Sequence, residues 1–218
     1  MNARWAGRRA GARLHLVRHG QSTWNAEGLL QGQTLHVPLS PDGVKQALTV
    51  AEALEREPVG EVWTSDQLRC VQTAELVAAR HHLRVRRSVL LREQCHGIWE
   101  GTPVAGRAAV LAAADPDWAP AGGETPRELL GRAGRFLGAL NAGAPHRVAA
   151  TGPDVVVVSH GETIRALFAA ALGLGVERMP THIPVNGTVH TISPGPVPAE
   201  PAPLDHRTAS RPEAERIT

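Results

Sequence analysis

Between residues 11 and 193 the chain alternates short apolar runs with longer segments of helical periodicity. The first run, LHLV at 14–17, has strand length and ends abruptly in Arg18, His19 and Gly20. A helix is expected over 41–57, with Ser40 as N-cap, Pro41 at the first helical position and Val44, Leu48, Ala51 and Leu54 on its inner face. A short strand at 61–64 follows, then a helix capped by Ser65 or Asp66 and running to about Arg80, with Leu68, Val71, Ala74, Leu76 and Val77 inward. Residues 83–85 read as an edge strand. The stretch 91–123 is broken by Pro103, Pro116 and Pro120, and one helix is expected near 104–114. Thr125 and Glu128 have capping-box spacing around Pro126, predicting a helix to about Leu140. DVVVVS at 154–159 carries four consecutive valines and no polar alternation, the pattern of a central strand buried on both faces. A helix at 162–172 and a strand at 188–192 close the series. Strands alternating with helices predict an α/β fold, with a mostly parallel central sheet flanked by helices on both faces in three layers.

Composition narrows this frame without redirecting it. The 218 residues, 42% of them hydrophobic, suit one generous domain. Formal net charge is only +2, the basic residues are almost all arginine, and there is no tyrosine. Aromatic interleaving and a dense basic stripe are both lacking, so nucleic acid is not an expected partner. Cys70 and Cys95 are too few for a disulfide framework and have no metal-ligand spacing, which fits a reducing cytoplasm. The apolar stretch after MNARWAGRRAGAR is too short for a signal segment or a membrane span, so no membrane association is expected. Residues 1–12 are expected to be a disordered basic extension and 13–192 the folded domain. Residues 193–218, with Pro194, Pro196, Pro198, Pro201, Pro203 and Pro212, are expected to be a disordered tail. A homodimer is compatible with the sequence but not required by it.

The candidate chemistry collects at strand ends. With 11 His and 22 Gly in the chain, chance supplies about one His-Gly dipeptide, yet three occur, at His19, His96 and His160. His19 and His160 each sit just past an apolar strand, where a parallel sheet opens its ligand crevice. A histidine that merely ends a strand is the plainer reading of either alone, but it does not account for the pair. An imidazole attacks phosphorus when one ring nitrogen donates to a carbonyl and the other keeps its lone pair, while cations hold the phosphoryl oxygens. Arg18 supplies a forked donor beside His19, and Arg69, one turn into a helix, is a second. Such a site needs the two imidazoles within ~10 Å of each other, since both must reach oxygens of one oxyanion at about 3 Å.

RHGQSTWN, SDQLRCVQTA, LREQCHGIWEG, GGETPREL and SHGETIR, in that order, resemble the histidine phosphatase superfamily, or phosphoglycerate mutase-like family, in its phosphatase branch. The resemblance spans roughly residues 13–192. It implies that His19 is a covalent nucleophile, that Arg18, Arg69 and His160 form a cationic pocket, and that Glu93 is the proton donor. Asn25, Gln31, Ser22 and the backbone of Gly161 are implied substrate-binding groups. Neither metal nor cofactor is implied. For Glu93 to act as an acid near neutrality, its carboxyl must be raised by partial burial, helped by the phosphate dianion.

The sequence departs from the family pattern at His36, where an acidic residue is common, and at Cys95 and His96 after the LRE triplet. Glu124 and Thr125 are candidate substrate contacts, with helix capping as the competing role. The expected activity is hydrolysis of a small phosphorylated metabolite, a phosphate monoester, through a phosphohistidine. A bisphosphoglycerate-dependent phosphoglycerate mutase is the runner-up, opposed by the short LREQCHGIWEG to GGETP spacing. The third reading, a non-catalytic phosphate-ligand module, is opposed by the presence of every catalytic residue type.

Overall fold

A computed structural model describes residues 11–142 and 152–193. The expected disorder of residues 1–10 and 194–218 lies outside them. Among the described residues five strands, β1 (Leu14–Arg18), β2 (Val59–Thr64), β3 (Val85–Arg87), β4 (Asp154–Ser159) and β5 (Val189–Ile192), form one sheet in the order β3-β2-β4-β1-β5. All neighbours are parallel except β5, which pairs antiparallel with β1 at one edge. The helices are α1 (Thr23–Glu27), α2 (Pro41–Leu54), α3 (Leu68–Arg80), α4 (Ala108–Ala112), α5 (Pro126–Ala142) and α6 (Gly161–Leu172).

The valine run explains the three layers. Val156 and Val158 of β4 join Val17 and Val62 beneath α2 and α3, whereas Val155 and Val157 join Leu14 and Leu16 beneath α5 and α6. Alternate side chains of a strand point to opposite faces, so a strand covered on both sides must be apolar at every position. Trp63 packs edge-on against Phe136 of α5, ring centroids 5.7 Å apart. No helix among the described residues is long and apolar enough to cross a membrane.

Several local expectations shift. Ser40 caps α2 by accepting from Gly43 N–H at 3.0 Å, but the inner face of α2 is Gly43, Ala47, Val50, Ala51 and Leu54, and Val44 and Leu48 are exposed. The seam follows the small residues because α2 starts in backbone contact with the β1–α1 loop. A Cβ on Gly43 would stand 1.8 Å from the Gln21 carbonyl oxygen, and one on Gly20 would stand 2.1 Å from that of Gly43. Helix α3 begins with Gln67 as N-cap, not Ser65 or Asp66; Ser65 Oγ instead accepts from Gln67 N–H before the helix. Leu68 is exposed in consequence, and Leu76 is half-buried. The helix expected at 104–114 is reduced to α4, and the edge strand lies two residues later than expected.

Candidate active site

The register of β1 against β4 creates the site. Arg18 is opposite Ser159, so the next residue on each strand, His19 and His160, emerges at the same level, and His19 N–H donates to the Ser159 carbonyl at 3.0 Å. Adjacent strands lie about 4.8 Å apart. The two rings meet edge to face with centroids 5.1 Å apart, well inside the separation that one oxyanion allows.

His19 Nδ1 lies 2.7 Å from the Gly20 carbonyl oxygen, to which it donates, so the lone pair is on Nε2. Both rings are buried. Burial, reinforced by Arg69 and then Arg18, holds His19 well below its ordinary 6.5, and burial followed by Arg69 does the same to His160. His160 is therefore neutral in the free protein and does not add a third cation to Arg18 and Arg69 as expected. Its ring lies against the Cys70 thiol, Sγ to Nε2 3.3 Å. Burial pushes that thiol up, so it stays protonated as a donor.

Arg69 is fully buried in α3. Its Nη1 and Nη2 donate to the carbonyls of Thr34 and Gly32 at 2.9 and 3.1 Å. Arg18 Nη1 donates to the Pro184 carbonyl. Burial draws both guanidinium groups down from their ordinary range, yet an arginine stays charged. The Nε atoms of Arg18 and Arg69 are buried without a protein partner. Each arginine thus retains a donor for an oxyanion, where charge-assisted bonds are strongest.

Glu93 follows the turn Val89–Leu91 and docks on the start of α6. Its Oε1 accepts from Gln94 N–H at 2.9 Å and from Thr163 N–H and hydroxyl at 3.2 Å each. Oε2 has only Glu162 N–H at 3.5 Å. Oε2 is therefore the oxygen with room for a proton. Gly161 opens the same helix, and a Cβ there would meet Ile183 Cγ2 at 2.5 Å, so a side chain at this position would displace Ile183.

Asn25, Gln31, Gly161, Arg18, His19 and Glu93 all line one cavity of about 760 Å³. Ser22 lies behind that wall, as N-cap of α1, accepting from Asn25 N–H at 3.0 Å and donating to Gln31 Oε1 at 2.8 Å. It orients the two amides. His36 is exposed and does not line the cavity, and Cys95 points its thiol at the Gly122 carbonyl, 3.3 Å away. His96 does line the wall. Thr125 and Glu128 form the capping box, Thr125 N–H to Glu128 Oε2 2.9 Å, while Glu124 pairs with Arg132.

Four residues support the site in ways the sequence alone does not show. Buried Gln67 donates to the carbonyls of Gly32 and Thr34 at 2.9 and 3.1 Å and accepts from Glu93 N–H at 2.8 Å, tying the loop after Gln31 to the acid. Arg132 grips Glu124 with Nε at 2.8 Å and Nη2 at 2.7 Å, and donates to the carbonyls of Leu90, Arg92 and Glu93. Thr163 holds Glu93, and Asn186 Nδ2 donates to the His19 carbonyl at 3.0 Å. Arg132 left a readable signal: it stands on the apolar stripe of α5 with Leu129, Ala133 and Phe136.

These features define an α/β protein in which two buried imidazoles and two arginines gather at the carboxyl ends of adjacent parallel strands. The family description "Histidine phosphatase superfamily (branch 1)" matches residues 14–196. The chain is 37% identical over 176 residues to the glucosyl-3-phosphoglycerate phosphatase of Mycobacterium tuberculosis, covering 77% of this chain and 78% of that protein. It is 36% identical over 171 residues to phosphoglycerate mutase-like protein 4 of Arabidopsis thaliana, covering 73% and 71%. The native structure of a mycobacterial glucosyl-3-phosphoglycerate phosphatase superposes with a TM-score of 0.75 at 32% identity, over 84% of this chain and 90% of that one. The chain belongs to the histidine phosphatase superfamily.

Proposed function

We propose that the protein hydrolyses small phosphate monoesters through a phosphohistidine on His19. The observation that carries this reading is the neutral His19 ring, fixed by its Nδ1 bond to the Gly20 carbonyl, between two guanidinium groups with unpaired N–H donors. Arg18 and Arg69 draw the phosphoryl oxygens into the pocket, with His160 and the amides of Asn25 and Gln31 completing the cradle. The His19 Nε2 lone pair attacks phosphorus as the ester P–O bond breaks, and the proton on Glu93 Oε2 passes to the leaving oxygen. In the second half, water attacks phosphorus, the N–P bond breaks, and the Glu93 carboxylate takes the water proton. The arginines stabilise charge spread over the equatorial oxygens of a loose transition state.

Relatives named as phosphatase and as mutase-like both occur, and hydrolysis is favoured by the short chain between Glu93 and Glu124. The two free thiols fit the cytoplasm as the site of action. A panel of sugar phosphates, phosphoglycerates, nucleotides and amino-alcohol phosphates, assayed for phosphate release, tests the proposal. Turnover without added metal is expected, with a loss of at least ~10³-fold in His19→Ala. A variant that keeps most of its rate would remove His19 from the role of nucleophile.

A further inference from the structure

The cavity changes character away from its oxyanion end. Among the described residues that line it, the arginines are Arg18, Arg69 and Arg165. Arg18 and Arg69 belong to the oxyanion end. Arg165 is already committed, donating to the Glu162 carboxylate and the Pro180 carbonyl. Burial pushes His96 down, so it adds no cation. The carboxylates of Glu162 and Glu177 stand on the same wall, Glu177 facing Arg127 at 3.5 Å. With these acids and Arg165 already held in ion pairs, a second anionic group on a substrate would meet no uncommitted cation here.

The remaining wall is apolar. Val104, Ala108 and Leu111, spaced to share one side of the α4 segment, line the cavity together with Leu29 and with Ile183 and Val185 on the loop before β5. Trp118, Ile183 and Val185 are three of the nine exposed large hydrophobic side chains among the described residues, and all three meet at this one cavity. Exposed apolar groups that converge on a concave surface mark a binding site, and about 760 Å³ is within the range of small-molecule pockets.

Resting on the phosphatase reading above, we infer that the preferred substrate is a phosphate monoester of an uncharged alcohol with an apolar body, carrying no second phosphate or carboxylate. The glucosyl-3-phosphoglycerate phosphatases it is similar to are named for a substrate of a different kind. The discriminating power lies in the leaving group: the phosphoryl end is common to all monoesters, whereas the Leu111–Ile183 wall rewards only those that displace water from it.

A series of n-alkyl phosphates tests this, because chain length changes apolar area while leaving-group basicity stays nearly constant. Burying one methylene contributes about 0.8 kcal/mol, so kcat/KM should rise about fourfold per carbon until the wall is covered. 3-Phosphoglycerate and O-phosphoethanolamine should fall below the longer alkyl esters. Leu111→Asn and Ile183→Asn should flatten the slope. A flat series in the parent protein, an unchanged slope in both variants, or 3-phosphoglycerate or O-phosphoethanolamine as the best substrate would overturn the inference. p-Nitrophenyl phosphate with the His19→Ala control separates the two levels. If it is hydrolysed in a His19-dependent way while the alkyl series is flat, only the substrate class fails. If nothing is hydrolysed, the phosphatase reading fails and the inference with it.

Discussion

Arg132→Met should loosen both the fold and the acid. The Arg132 and Glu124 side chains are only 9% and 15% exposed, and the guanidinium makes two bonds to the carboxylate and three to the carbonyls of Leu90, Arg92 and Glu93. Removing one partner of a buried ion pair costs about 3–5 kcal/mol, and residual solvent contact places this pair near 3. A domain of this size loses about 2–4 °C in Tm per kcal/mol, so a drop of about 6–12 °C is expected in thermal melts followed by circular dichroism. Arg132→Met/Glu124→Leu should be less destabilised than the sum of its single variants, because no carboxylate is left buried alone. The three freed carbonyls all lie on the segment that ends in Glu93, so proton donation should suffer with stability. Below the melting range, kcat for an alkyl phosphate should fall more than kcat for p-nitrophenyl phosphate, whose leaving group needs little protonation. A variant that melts within ~2 °C of the parent would refute the energetic reasoning. Equal losses on the two esters would show that Arg132 does not act through Glu93.

Glu93→Gln should likewise lose far more activity on alkyl than on activated aryl phosphates, and equal losses in steady-state assays would remove it as the acid. His19 and His160 are held neutral by burial and by the arginines while the unfolded chain takes up protons below ~6.5, so stability is fully present above that pH and declines below it. Each imidazole contributes a slope of up to about 1.4 kcal/mol per pH unit. Urea titrations across ~7.5 to ~5.5 should show the decline, smaller in His19→Asn; stability that rises on acidification, or an unchanged slope in the variant, would contradict the burial account. Gly20→Ala drives a methyl into the Gly43 carbonyl and should cost about 1–3 kcal/mol in chemical denaturation, together with activity, since His19 is the preceding residue; a variant with parental stability and turnover would show that the contact yields freely.

The parts of this site that were legible in sequence are those set by strand ends. An apolar run followed by Arg-His-Gly and a second followed by His-Gly announce themselves, because a parallel sheet exposes the residues after each strand. That His19 and His160 would be neighbours also required β1 to lie beside β4, an adjacency visible only in the sheet order. The inner face of α2 differs from the expected one for a related reason. Val44 and Leu48 carry the hydrophobic signal, but the backbone approach at Gly20 and Gly43 sets which side turns inward. Gln67 leaves no periodic trace, because its partners are backbone groups on distant segments, whereas Arg132 shows only as a cation on the apolar stripe of α5 and its partners are invisible in the pattern. Charge state was the least accessible: His160 reads as a cation until its burial beside Arg69 is seen.

The most direct test is to quench the protein in alkali during turnover of a phosphate ester and to map the phosphoryl group by peptide mass spectrometry. An acid-labile, base-stable modification on His19, formed and lost at rates that account for kcat and absent in His19→Ala, is the expected result. Sustained turnover with no phosphorylated histidine, or with the phosphoryl group on His160 alone, would contradict it.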